Sequence, residues 1–113
     1  MAFWKKLFGK DRAPYLGGNE TSTSQEFGRS VDDPVPCESI PLSYWYLSRL
    51  AQSDGSSLNY ERIGSFGSDH YSGPIDGYLL TTSDGEQTKI FVWPYAQQTS
   101  SKAPVGLILL PPN

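Results

Sequence analysis

The chain has 113 residues, 37% of them hydrophobic, with 11 glycines and 9 prolines, a size and composition that fit one domain and exclude a two-domain enzyme. Nine Lys+Arg against twelve Asp+Glu give a formal charge of -3, which argues against a general nucleic-acid binder, because that function needs a basic face. One cysteine, Cys37, and one histidine, His70, exclude an internal disulfide and the usual four-ligand structural zinc; no metal or cofactor is expected, and the expected home is a reducing, cytoplasmic compartment.

Residues 1–12 carry four basic groups and one acid, so +3 is concentrated at one end and the other 101 residues carry -6. Within this segment Phe3, Trp4, Leu7 and Phe8 fall at helical spacing on one face, beside Lys5, Lys6 and Lys10. The apolar runs are far shorter than a signal-peptide core or the roughly 20 residues of a spanning helix, and Ala2 stands where myristoylation requires glycine. A basic, aromatic amphipathic stretch of this kind suits the headgroup region of an anionic inner membrane, with Phe3, Trp4, Lys5, Lys6, Leu7 and Phe8 in contact and the protein peripheral to it. The plainer alternatives are a frayed tail or a turn of helix packed on its own domain.

Residues 13–36 are rich in Gly, Ser, Thr, Asn, Asp and Pro without apolar periodicity and read as a flexible linker. The folded unit is then residues 37–113, small enough to need an aromatic-heavy core. Tyr44, Trp45, Tyr46, Tyr60, Phe66, Tyr71, Tyr78, Phe91, Trp93 and Tyr95 are the candidates.

Over residues 42–51 two templates compete. Leu42, Trp45, Tyr46, Arg49 and Leu50 recur at helical spacing with Pro41 acceptable in a first turn. Tyr44-Trp45-Tyr46, followed by a turn signal at Ser53-Asp54-Gly55-Ser56, favours a strand in a hairpin with residues 58–66, and the strand is preferred; Arg49 and Arg62 would then face each other. Asp84-Gly85 between two β-prone runs predicts a second hairpin with strands at 77–82 and 87–93, since glycine tolerates the positive φ of tight turns. In the later strand both alternating faces are apolar, Ile90 and Val92 against Phe91 and Trp93, which marks a strand buried on both sides or facing a partner. Residues 103–110 suit a closing strand, weakened at Gly106, or a tail packed across the sheet. The fold class expected is mainly β, with α+β as its variant: a small antiparallel sheet of four or five strands built from hairpins, preceded by a flexible N-terminal arm.

Residues 64–77, with four glycines, one proline and the lone histidine, read as a broad loop between strands, and loops of this sort carry function. Asp69, His70 and Asp76 invite an acid-base reading, since a carboxylate can orient an imidazole, but no ligand spacing supports a metal. Cys37 and His70 form a conceivable nucleophile-base pair without a recognised catalytic context. The glycines lack the Lys-Ser/Thr that completes a phosphate loop. Tyr44, Trp45, Trp93 and Tyr95 also suit an interface, where Trp and Tyr are enriched.

The runs Tyr60-x-Arg62-Ile63-Gly64-Ser65-x-Gly67 and Gly73-Pro74-Ile75-Asp76-x-Tyr78, with Pro34-Val35-Pro36-Cys37 upstream, resemble small uncharacterised bacterial proteins over residues 34–95. The resemblance implies a bacterial origin and carries no activity, cofactor or catalytic residue. The function expected is a non-enzymatic protein-binding module using an aromatic sheet face and the Gly-rich loop, with Asp69, His70, Tyr71, Asp76, Trp93 and Tyr95 against the partner. One version is an immunity-like protein whose acidity speeds capture of a basic toxin. The alternatives are a peripheral membrane adaptor using the N-terminal segment and a small enzyme using His70 with Asp69 or Asp76.

Overall fold

The computed structural model describes residues 20–21 and 24–112; residues 3–8 and the membrane contact expected of them lie outside the described residues. In chain order the elements are β1 (Glu20–Thr21), β2 (Val35–Pro36), α1 (Ile40–Arg49), β3 (Leu50–Gln52), β4 (Asn59–Ser68), β5 (Tyr71–Thr81), β6 (Gln87–Trp93), β7 (Lys102–Ala103) and β8 (Leu107–Leu109). The protein is mainly β, as its composition suggested. A four-stranded sheet runs β2-β6-β5-β4, antiparallel across β4, β5 and β6 and parallel between β2 and β6, and two short pairs, β1 with β7 and β3 with β8, complete the fold.

The Asp84-Gly85 hairpin forms as expected. Gly85 has φ +91, and Thr82 and Glu86 close the turn through Thr82 N–H to Glu86 O at 2.8 Å. Its second strand, β6, is interior, which explains why Ile90, Phe91 and Val92 are all buried.

Residues 42–49 are helical, which corrects the preferred strand. Ser39 supplies the reason: its Oγ accepts the Leu42 N–H at 3.2 Å, so one of the orphan donors of the first turn is satisfied, and Pro41 sits in that turn where it has no partner to lose. The inward face is Ser43, Tyr46, Leu47 and Arg49; Tyr44 and Trp45 point outward. At Leu50 the backbone turns extended and enters β3, which pairs with β8 in the register Leu50 to Leu109 and Gln52 to Leu107. The turn at 53–56 does form, with Gln52 N–H to Ser56 O at 2.9 Å, but its arms part after the Ala51 to Ser57 bridge. Arg49 and Arg62 therefore do not face one another: Arg49 Nε donates to Leu110 O and Arg62 to Asp76.

Part of the stretch expected to be linker is built into the domain. Val35 is buried and pairs with Val92, and Gly28 O accepts the Phe91 N–H at 2.8 Å. Gly28 has φ +75, and a Cβ there would meet Val35 Cγ2 at 3.0 Å and Pro104 Cγ at 3.1 Å, so both conformation and space demand glycine. Arg29 bonds Thr88 Oγ1 and Val105 O. Backbone pairing and an arginine anchor hold a segment whose side chains show no apolar period.

The core lies between one face of the sheet and the layer made by α1, β3 and β8. Val35, Tyr78, Leu80, Ile90 and Val92 meet Tyr46, Leu47, Leu50, Leu107 and Leu109 there. It is chiefly aliphatic. Of the ten aromatic residues expected in it, Tyr46, Tyr78 and Phe91 are buried, whereas Tyr44, Trp45, Tyr60, Phe66 and Tyr95 are exposed. Tyr44 and Tyr60 stack edge-on against Tyr78, with ring centroids 6.3 and 6.2 Å away, and rim the core.

Candidate aromatic docking face

Residues 64–77 are a β-hairpin and not a broad loop: β4 and β5 pair from Asn59 to Thr81 down to Ser68 to Tyr71, leaving Asp69 and His70 as the turn. Strand alternation places Tyr78, Leu80, Ile90 and Val92 on the core side. It places Gly77, Ile75 and Phe91, with Gly64 and Phe66 of β4 paired to Gly77 and Ile75, on the other side.

On that second side the glycines are a floor for rings. A Cβ on Gly77 would lie 2.5 Å from Phe66 Cε1 and 3.3 Å from Phe91 Cε1, and one on Gly73 would lie 2.9 Å from Tyr95 Cε2. Glycine within a strand usually weakens it; here it lets a ring from a neighbouring position lie against the backbone. Phe66 and Phe91 meet edge to face with centroids 5.3 Å apart. Tyr71 and Trp93 lie 5.0 Å apart, and Trp93 Nε1 donates to Ser72 O at 2.7 Å, which fixes the indole. The outcome is a stripe of rings along one face, the pair Phe91 and Phe66 followed by the pair Trp93 and Tyr71 and then Tyr95, with Phe66 37% and Tyr95 50% exposed.

The turn end of the stripe is acidic. Ser68 Oγ donates to Asp32 Oδ1 at 3.0 Å and His70 Nε2 stands 4.0 Å from the same oxygen, so the 24–33 segment delivers one carboxylate beside the Asp69 turn. Both His70 and Asp32 are more than half exposed. Residues 24–112 carry ten acids and five Lys or Arg, and three of those five cations are engaged within the fold: Arg29 as above, Arg49 at Leu110 O and stacked 4.6 Å over Trp45, and Arg62 at Asp76.

Of the residues expected to contact a partner, Asp69, His70, Tyr71, Trp93 and Tyr95 come together at this end. Asp76 does not. It lies six residues along an extended strand from His70, about 20 Å at 3.3 Å per residue; its side chain is only 9% exposed and bonds Arg62 at 3.0 Å. That carboxylate hydrogen bond raises the Arg62 pKa, and Ser65 Oγ takes a second bond from the same nitrogen at 2.7 Å. An acid-base set of Asp69, His70 and Asp76 is therefore not assembled.

Cys37 is likewise no partner for His70. It is fully buried, its backbone bridges Trp93 O and Ala96 N, and burial pushes its thiol up to about 12, against a lesser opposing pull from Ser43. The interface candidates Tyr44 and Trp45 belong to α1, on the other layer, where Trp45, Arg49, Leu110 and Pro111 line a shallow groove.

Phe66, Phe91, Asp32 and the two floor glycines are the parts that composition alone did not point out. Their signal was present as alternation: Gly64-x-Phe66 and Gly73-x-Ile75-x-Gly77 place glycine and bulk on one strand face. Among the described residues no group of three or more His, Cys, Asp or Glu is placed to hold a metal ion, and no helix is long and apolar enough to cross a membrane. No protein-family model, curated protein or solved structure matches this chain.

Proposed function

We propose that this is a non-enzymatic, cytoplasmic protein-binding module whose docking surface is the aromatic stripe of Phe66, Tyr71, Trp93 and Tyr95 with the Asp69–His70 turn at its end. The observation that carries it is the glycine floor. Tyr95 and Phe66 pack on Gly73 and Gly77 too closely to admit a Cβ and are still exposed, and aromatic anchors set in advance of contact are the usual source of interface energy. Asp32 and Asp69 at the rim favour a basic partner and would accelerate its approach; an immunity-like cap on a basic toxin is one partner of that kind.

The test is quantitative capture from an extract of the protein's own host. A partner held in stoichiometric amount by the wild type, at least tenfold less by a Tyr95→Ala, Phe66→Ala double variant that keeps its fold, and more weakly at 0.5 M salt is the expected result. Capture unaffected by the double variant overturns the assignment of the surface.

A further inference from the structure

We propose that the aromatic stripe is docked by the chain's own basic segment, residues 3–10, which occupies it in competition with an external partner. This inference rests on the reading of the stripe as a docking surface and names the chemistry that fits it: a short run of lysines with aromatic side chains.

Charge complementarity is the first argument. The stripe ends at Asp32 and Asp69, and four of the five Lys and Arg among residues 24–112, all but Lys102, do not serve it. Arg29, Arg49 and Arg62 are committed within the fold. Lys89, although on the same face, is at the opposite end, where its register partner Leu79 also pairs with Glu61. The largest concentration of positive charge in the sequence is Lys5, Lys6 and Lys10, interleaved with Phe3, Trp4, Leu7 and Phe8. Those rings match an aromatic receiving surface, and the lysines match its acidic rim, both as stacking partners and as counter-charges.

Reach is the second. Nine residues, 11–19, separate the segment from Glu20, enough to span about 33 Å when extended, against 38 Å for the longest dimension of the described residues. Glu20 itself sits where β1 and β7 pack beside β8. It pairs with Lys102, two residues from Ser100, whose N–H bonds Pro36 O; Pro36 in turn is the register partner of Trp93. The leash thus begins near the strand end that carries the stripe. A tethered segment acts at an effective concentration of order millimolar, so an intrinsic dissociation constant of about 1 mM holds half of the molecules closed.

The buried Cys37 makes the test clean, since a thiol at Ala2→Cys takes a nitroxide label while Cys37 stays protected. In the full-length protein, amide signals of Phe66, Tyr71, Gly73, Trp93 and Tyr95 should lose at least half of their intensity, with α1 and the Asp84-Gly85 turn much less affected. The broadening should vanish in a Lys5→Glu, Lys6→Glu, Lys10→Glu variant, which leaves the described domain untouched, and should weaken at 0.5 M salt. Uniform weak broadening, or broadening centred on Tyr44 and Trp45, overturns the proposal, whether or not anionic vesicles then capture the segment. Equal broadening when nitroxide-bearing, isotope-free protein is mixed with unlabelled-thiol, isotope-enriched protein assigns the segment to a second copy and overturns the intramolecular form. No partner is present in these spectra, so a failed capture experiment and a failed docking experiment are separate results.

Discussion

On one side of the four-stranded sheet Tyr78, Leu80, Ile90 and Val92 are sealed beneath α1, β3 and β8; on the other, Phe66 and Tyr95 lie over Gly77 and Gly73 with their outer surfaces exposed. The closed side fills its volume with branched aliphatic chains from two layers. The open side instead removes side chains beneath its rings, so that a single layer supports itself. Under the proposed function, stability and recognition fall to opposite faces of the sheet, and a substitution should report on one or the other.

The largest expected effect is on the closed side. Leu80→Ala should lower unfolding free energy by about 2–5 kcal/mol through lost burial and a residual cavity, read by urea denaturation; a loss below about 1 kcal/mol would mean that the two sides are not different in kind. Alkaline pH should strike the same side. Cys37, pushed up to about 12 by burial, and Tyr46, raised by complete burial while its hydroxyl donates to Lys102 O at 2.6 Å, are both held protonated by the fold. Their contribution is complete below the ordinary thiol value of 9.0 and is lost as the unfolded chain ionises above it, each group steepening the fall toward about 1.4 kcal/mol per pH unit. Cys37→Ala should flatten the curve between pH 9 and 12; an unchanged slope would remove Cys37 as a cause.

On the open side Gly77→Ala should cost about 1–3 kcal/mol by overpacking against Phe66. In a Phe66→Ala background the same change should cost at least about 1 kcal/mol less, and additivity of the two would mean the ring does not depend on the glycine. Ser39→Ala removes the cap of α1 and should cost about 1 kcal/mol, with chemical-shift changes reaching Tyr78 and sparing Trp93. Smallest of all, Tyr95→Ala should change stability by about 0.5 kcal/mol or less, because its loss is meant to appear in binding.

How much of this the chain disclosed in advance follows from the range of the forces involved. The Asp84-Gly85 turn and its flanking strands were legible because turn chemistry and apolar alternation are local. The helix over 40–49 was half legible: the periodicity stood in the sequence, but Tyr44-Trp45-Tyr46 favoured a strand on propensity, and the decision came from Ser39 and from burial against Leu107 and Leu109 sixty residues away. Gly28 and Val35 looked like linker because their role is to pair backbone with β6, which leaves little trace in side-chain pattern. At the candidate site Tyr71, Trp93 and Tyr95 were found by residue type. Asp76 was misassigned because only the fold brings Arg62 to it, and the glycines of residues 64–77 suggested a loop because their purpose, a place for rings, is visible only across strands.

The β3 and β8 pairing joins Leu50 to Leu109, and that closure has a consequence for biogenesis. During synthesis at about 5–20 residues per second, roughly 3–12 seconds separate the appearance of Leu50 from that of Leu109. Throughout that interval Tyr46 and Leu47 keep apolar surface exposed to water, because the strand that packs on them has not yet been made. Late completion of this kind is characteristic of topologies rich in distant contacts, and it makes β8 a checkpoint: a nascent chain stalled before Leu107 should remain protease-sensitive and chaperone-bound, and emergence of Leu109 should convert it to the resistant domain in one step.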